Sequence, residues 1–150
     1  MKLVIQRVHG ASCVVDGKEV SRIGKGLLAF VGVADGDTEE DLRKASTKLA
    51  GLRIFENEEG KMSLSTSDVG GEIMIISNFT LLGRVQRGFR PDCTHAAHPS
   101  VAEPMYNAFC DAVAQTVPVA RGIFGADMQI SAQLDGPVNL MLDTVELLKK

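Results

Sequence analysis

The sequence predicts an α/β fold: a single domain over residues 1–150 in which a mixed, largely antiparallel β-sheet carries two main helices packed on one face. Three observations predict it. β-rich runs open the chain, and period-two apolar alternation recurs near its end. Two interior segments instead repeat apolar residues at helical spacing behind capping signals. The resulting order is strands, helix, strands, helix, strands, which suits helices packed against a mixed sheet. A chain of 150 residues is long enough to bury about 68–70% of its unfolded surface, and no repeat, low-complexity tract or linker divides it.

In chain order, residues 2–8 open with a β-rich run, and residues 11–15 lead into Asp16-Gly17, a strong hairpin turn signal. Residues 19–23 return, and residues 26–33 are apolar on both faces, as in a buried central strand. Thr38-Glu39-Glu40-Asp41 places an acid three residues after a cap. Leu42, Ala45, Leu49 and Leu52 follow at helical spacing, so residues 39–50 are predicted to be an amphipathic helix that Gly51 helps to end. Residues 72–76 form a short buried strand running into Ser77. A second box, Ser100 to Glu103, is predicted to start a helix with Met105, Phe109, Ala112 and Val113 on its apolar stripe. Pro104 is then acceptable because it falls in the first turn. Finally residues 128–134 alternate apolar and polar, and residues 138–142 repeat the pattern beyond a Gly136-Pro137 break.

Bulk properties narrow the function. The net charge of −3 argues against indiscriminate binding along nucleic-acid backbones, but permits a local basic patch for one RNA end. The first residues, Met1 to Arg7, hold too short an apolar run for a signal peptide, and the stretch from Leu27 to Val33 is far short of a membrane span. A cytoplasmic protein with no membrane partner is expected. Cys13, Cys93 and Cys110 are odd in number and lack a Cys-x-x-Cys pair, which fits reduced thiols.

Three segments carry possible chemistry. Ser77-Asn78-Phe79-Thr80 sets two hydroxyls, an amide and a ring at the end of a buried strand, where they can line a cleft or simply cap a strand exit. Directly after it come Arg84, Arg87 and Arg90 among glycines, with Phe89 between them. Such a loop can hold phosphates and stack on a base, or be a plain solvated loop. Asp135-Gly136-Pro137-Val138 lies between two alternating strands and reads by itself as a turn. A hydroxyl-rich strand end beside a phosphate-type loop suggests a nucleotide-bearing substrate.

Together these segments resemble the D-aminoacyl-tRNA deacylases, also known as the D-tyrosyl-tRNA deacylase family. Ser77-Asn78-Phe79-Thr80-Leu81 is similar to that family's Ser-Gln-Phe-Thr-Leu motif, and Asp135-Gly136-Pro137-Val138-Asn139 to its Gly-cisPro motif. Gln6-Arg7-Val8, Arg53-Ile54-Phe55, Gly60-Lys61-Met62, Arg87 to Pro91 and Phe124 to Met128 fall in the family's order and spacing. Asn78 stands where the family usually has Gln, and Asn139 where it has Thr. The resemblance implies the family's fold and a homodimer with its active site at the subunit interface. The implied reaction cleaves the ester between a D-amino acid, or glycine on a non-cognate tRNA, and the terminal adenosine. It further implies that Gly136 and Pro137 of one subunit bind substrate in the other and reject L side chains, with Arg7 fixing their orientation. Ser77, Asn78, Phe79 and Thr80 are the implied catalytic segment, and Arg84, Arg87 and Arg90 are the candidate contacts to tRNA. No cofactor and no metal are implied.

The mechanism is open between two routes. Thr80 attacks and forms an acyl-enzyme, or the substrate's vicinal ribose hydroxyl assists water while backbone N–H groups of Phe79 and Thr80 hold the oxyanion. The second is favoured, because no His or acid lies beside Thr80 in sequence to act as its base. Cys93-x-His95-x-x-His98 offers soft ligands for zinc but no fourth ligand at useful spacing, and reads as an exposed loop. Cys110 falls among apolar helix positions and reads as inert packing. The rival reading from another class is a non-catalytic nucleic-acid-binding module on the same fold, which the acidic balance disfavours.

Overall fold

The computed structural model describes residues 1–149. Its elements are strands β1 (Lys2–Val15), β2 (Lys18–Ile23) and β3 (Gly26–Gly32), helix α1 (Glu39–Gly51), strands β4 (Phe55–Glu56), β5 (Met62–Leu64) and β6 (Glu72–Ser77), and a single 3₁₀ turn (Phe79–Leu82). Helix α2 (Pro99–Ala114), strands β7 (Val119–Arg121) and β8 (Gln129–Asp143), and a short α3 (Thr144–Leu147) complete the chain.

β1 organises the sheet. It pairs antiparallel with β8 from Lys2↔Asp143 to Val14↔Gln129, which occupies one edge along its whole length. Its other edge therefore takes β3 over residues 2–8 and β2 over residues 11–15. Asp16 and Gly17 close the hairpin with φ of 50° and 78°, the left-handed pair that a type I′ turn requires. β6 joins β3 in parallel and β7 joins β6 in parallel. Parallel neighbours need long crossovers, which α1 and α2 supply. The mixed, largely antiparallel sheet expected from sequence is the one observed.

Both main helices lie on one face, again as expected. Leu27, Ala29 and Val31 of β3 and Ile73 and Ile75 of β6 pack into one core with Ala45 and Leu49 of α1 and Phe109, Cys110 and Val113 of α2. The alternate residues Leu28, Met74 and Ile76 join Val8, Ala11, Cys13 and Ile23 in a second cluster. The central strands are buried on both sides, which explains why their sequence is continuously apolar. Thr38 caps α1 as a capping box: Asp41 N–H donates to Thr38 Oγ1 and Thr38 N–H donates to Asp41 Oδ2 at 2.8 Å.

Several boundaries differ from expectation. Residues 2–8 and 11–15 are one continuous strand, because β8 pairs across Gly10. α2 begins at Pro99 and is capped by His98, whose Nδ1 accepts the Ser100 N–H at 3.2 Å; Ser100 is not the cap. Pro99 fits the first position because its missing N–H is not needed there. Pro104 consequently lies inside the helix, where it removes the donor that the Ser100 carbonyl would otherwise meet. β8 runs through the supposed break: Leu134 sits opposite Val8 and Asn139 opposite Gln6, so residues 135–138 bulge out of the ladder. Gly51 is the last helical residue and Leu52 takes the extended cap position.

Candidate active site

β6 delivers Ser77 to the sheet's end beside Val31 of β3, and Asn78 N–H donates to the Val31 carbonyl at 2.8 Å. The chain then turns sharply. Asn78 caps the 3₁₀ turn, its Oδ1 accepting the Thr80 N–H at 3.2 Å and the Thr80 hydroxyl at 2.5 Å. The turn packs tightly on β3: a Cβ at Gly32 would sit 2.5 Å from Leu82 Cδ2 and 2.9 Å from the Asn78 carbonyl oxygen. Only a bare Cα lets the two segments approach so closely.

Ser77, Asn78 and Phe79 form one wall of a cavity of about 320 Å³. The facing wall comes from segments distant in sequence: Cys93, Ala97 and His98, then Ala102 and Tyr106 of α2, and Phe124. Tyr106 fixes that wall by donating its hydroxyl to the Ile75 carbonyl at 2.6 Å in the buried interior, and its ring stands 6.2 Å from that of Phe124. Burial raises the Tyr106 hydroxyl far above its usual range, so it stays a neutral donor. Burial likewise pushes the neighbouring Cys110 thiol up to about 11, which suits the expected inert packing. Phe79 is 61% exposed, an apolar ring presented to solvent at the cavity.

Reading the sequence missed the second wall. Cys93 and His98 border the cavity although their segment reads as an exposed loop, and Ala102, Tyr106 and Phe124 carry no local signal for a site. His98 Nδ1 is committed to the Ser100 N–H and hydroxyl. Among the described residues, no three His, Cys, Asp or Glu side chains come together as metal ligands. In the free chain the Thr80 N–H is engaged, with Asn78 Oδ1 accepting it at 3.2 Å. The short amide at 78 reaches back to its own turn in the manner of an Asx cap, which leaves the Phe79 N–H as the remaining donor from that pair.

The arginine segment leaves the 3₁₀ turn directly. Arg84 and Asp92 exchange backbone hydrogen bonds of 2.8 and 2.9 Å, closing a narrow hairpin. Arg84, Arg87 and Arg90 are all exposed.

Gly136 and Pro137 are exposed, joined by a cis peptide bond, and absent from the cavity wall of their own chain. They are held from beneath. Arg7, only 7% exposed, donates through Nη1 to the Ile54 carbonyl at 2.7 Å, while its Nε meets the Asp135 carbonyl at 3.3 Å and carboxylate at 3.2 Å. A Cβ at Gly136 would lie 2.0 Å from Val138 N, so a side chain there requires the backbone to move.

The sequence and the fold have counterparts among known proteins. Residues 4–143 match the family model described as D-Tyr-tRNA(Tyr) deacylase. A D-aminoacyl-tRNA deacylase of Parabacteroides distasonis is 47% identical over 146 residues, 96% of this chain and 97% of its own. The solved structure of a c-Myc DNA unwinding element binding protein superposes with a TM-score of 0.90 at 39% identity, covering 95% of this chain and 98% of that one. A probable eukaryotic D-amino acid tRNA deacylase shares the fold alone, with a TM-score of 0.79 at 22% identity over 94% of this chain and 97% of that one. These matches define the class, a hydrolase of the aminoacyl-tRNA deacylase type. The chain belongs to the D-Tyr-tRNA(Tyr) deacylase family.

Proposed function

We propose that this protein hydrolyses the ester linking a D-amino acid, or a glycine mischarged on a non-cognate tRNA, to the terminal adenosine of tRNA, working as a homodimer with composite sites. One observation carries the reading: Gly136 and Pro137 form an exposed loop, pinned by buried Arg7, that does not line the cavity of its own chain. A second copy supplies the cavity that such a loop can enter. The outer edge of β8 supports this pairing, since Leu134, Leu140 and Met141 are exposed along it, a pattern that marks an interface more often than a free surface. Leu81, Leu140 and Met141 also share an apolar groove of about 510 Å³ next to the 3₁₀ turn.

In this reading the terminal adenosine lies against Phe79, and the Gly136-Pro137 carbonyls of the other subunit accept hydrogen bonds from the substrate's α-ammonium. A D side chain then points away from the loop, whereas an L side chain collides with main chain. Handedness is thus selected by exclusion. Chemistry needs no protein nucleophile. The vicinal ribose hydroxyl orients water, the water oxygen bonds to the carbonyl carbon, and the oxyanion accepts a hydrogen bond from the Phe79 N–H. The ester C–O bond breaks as the proton lost by water reaches the ribose oxygen, releasing acid and tRNA. Thr80 has only an amide oxygen as its hydroxyl's partner, and an amide oxygen is too weak a base to activate it. Arg84, Arg87 and Arg90 meet the phosphates of the acceptor end, and the protein acts in the cytoplasm.

The test compares hydrolysis of D- and L-aminoacyl-tRNA by the wild type and by Gly136→Ala. The wild type is expected to cleave only the D ester and the variant to lose that discrimination; an unchanged D/L rate ratio in the variant refutes the assignment. The likeness to a protein named for binding a DNA unwinding element favours one second reading, a nucleic-acid-binding module without turnover. Tight DNA binding together with no hydrolysis of D-aminoacyl-tRNA would establish it instead.

A further inference from the structure

The hairpin of residues 84–92 has a surface composition that the fold itself does not use. Its feet stand at the cavity. It begins two residues after Leu82 closes the 3₁₀ turn, and it ends at Asp92, next to Cys93 of the cavity wall. Arg84, Gln86, Arg87 and Asp92 line a polar hollow of about 290 Å³ along it. Asp92 is already engaged, its Oδ1 accepting the Thr94 N–H at 2.9 Å, which holds the carboxyl below its ordinary range. Among the described residues, Arg84, Arg87 and Arg90 have no carboxylate within ion-pair distance. At the tip, the Phe89 side chain is 107% exposed, more open to solvent than any other large apolar side chain described. A ring placed entirely in water contributes nothing to folding, and on a loop that also carries Arg84, Arg87 and Arg90 it offers a stacking face for an unpaired base whose phosphates the guanidinium groups can meet. A duplex would leave the ring unused, because paired bases hide their faces.

We propose that this hairpin is an arm for single-stranded RNA. Phe89 stacks on an unpaired base upstream of the terminal adenosine, and Arg84 and Arg87 hold the phosphate beside it. The proposal rests on the deacylase reading and extends it from the ester to the tail that carries it. Fully extended backbone rises about 3.3 Å per residue, so Phe89, three residues before Asp92, stands at most roughly 10 Å from the paired foot of the arm. The terminal adenosine already lies against Phe79, so the nucleotide that Phe89 meets is a neighbour of the one whose ester is cleaved.

Two substrates separate the arm from the ester site: the D-tyrosyl ester of adenosine alone, and the same ester on full-length tRNA. Phe89→Ala is expected to lower kcat/KM on the tRNA by about 5- to 150-fold, the ratio that a stack of roughly 1–3 kcal/mol per base yields. The loss should appear in KM with kcat retained, Phe89→Tyr should restore it, and the adenosine ester, too short to reach the arm, should be cleaved equally by wild type and variant. Unchanged kcat/KM on tRNA, or an equal loss on both esters, overturns the arm while leaving the deacylase reading in place. A wild type inactive on both esters removes that reading, and the arm with it.

Discussion

Removing the guanidinium of Arg7 tests how the exposed Gly136 loop is held. In Arg7→Met the methionine keeps much of the stem that fills the space beside β1, so the change acts mainly on hydrogen bonds. Two partners are affected. The Ile54 carbonyl, bonded at 2.7 Å in the buried interior, loses its donor, and a buried acceptor left unmatched costs about 1–3 kcal/mol. The Asp135 carboxylate, 3.2 Å from Nε, is 28% exposed and can be rehydrated, so its share is discounted to at most about 1 kcal/mol. The expected loss of stability is therefore about 1–4 kcal/mol, read from urea unfolding followed by far-UV circular dichroism. The functional effect should be larger than stability accounts for. Asp135 precedes Gly136, and misplacing a positioning element by about 1 Å can lower the rate by roughly 10²-fold. Hydrolysis of D-aminoacyl-tRNA, measured well below the unfolding transition, should fall by that order. Arg7→Lys should fall between, since one ammonium cannot span the two partners that the planar fork meets. A variant that unfolds within about 0.5 kcal/mol of wild type and keeps its rate would refute the inference that Arg7 sets the loop's position.

Three further outcomes are expected. Thr80→Ala should retain D-aminoacyl-tRNA hydrolysis within a few fold, and trapping of a covalent acyl-enzyme on the wild type would reverse that expectation. Gly136→Ala and Phe79→Asp, neither of them D-selective by itself, should regain about a quarter of wild-type D-selective hydrolysis after unfolding and refolding together, since half the dimers are mixed and one site in each is whole; no recovery would count against sites shared between subunits. Asp41, whose carboxylate completes the capping box of Thr38, is acid-sensitive: burial raises its carboxyl, but hydrogen bonds from Thr144 and Thr38 outweigh this and hold it below its ordinary value. A carboxyl lowered on folding contributes stability at neutral pH that is lost as pH falls through the lowered value. Asp41→Asn should then cost about 1 kcal/mol at pH 7 and progressively less below about pH 4, as urea titrations at both pH values would register.

What the sequence determines by itself is whatever near neighbours decide. The Asp16-Gly17 turn, the Thr38–Asp41 cap and the doubly buried β3 and β6 are legible because turn chemistry, capping and periodicity act within a few residues. The segment Ser77 to Thr80 and the Gly136-Pro137 pair are legible as a resemblance, carried by residue types in order along the chain. Only the tertiary structure decides how they meet. Arg7 reaches the Asp135 carbonyl across 128 positions of sequence, and the cavity's second wall joins His98, Tyr106 and Phe124 to a strand that ends at Ser77. His98 takes the cap from Ser100 because Pro99 supplies no N–H, a competition that a motif reading does not weigh. Contacts at such separations depend on sheet order and on which face each strand turns inward. That choice is made by burying one shared core, not by any local stretch of chain.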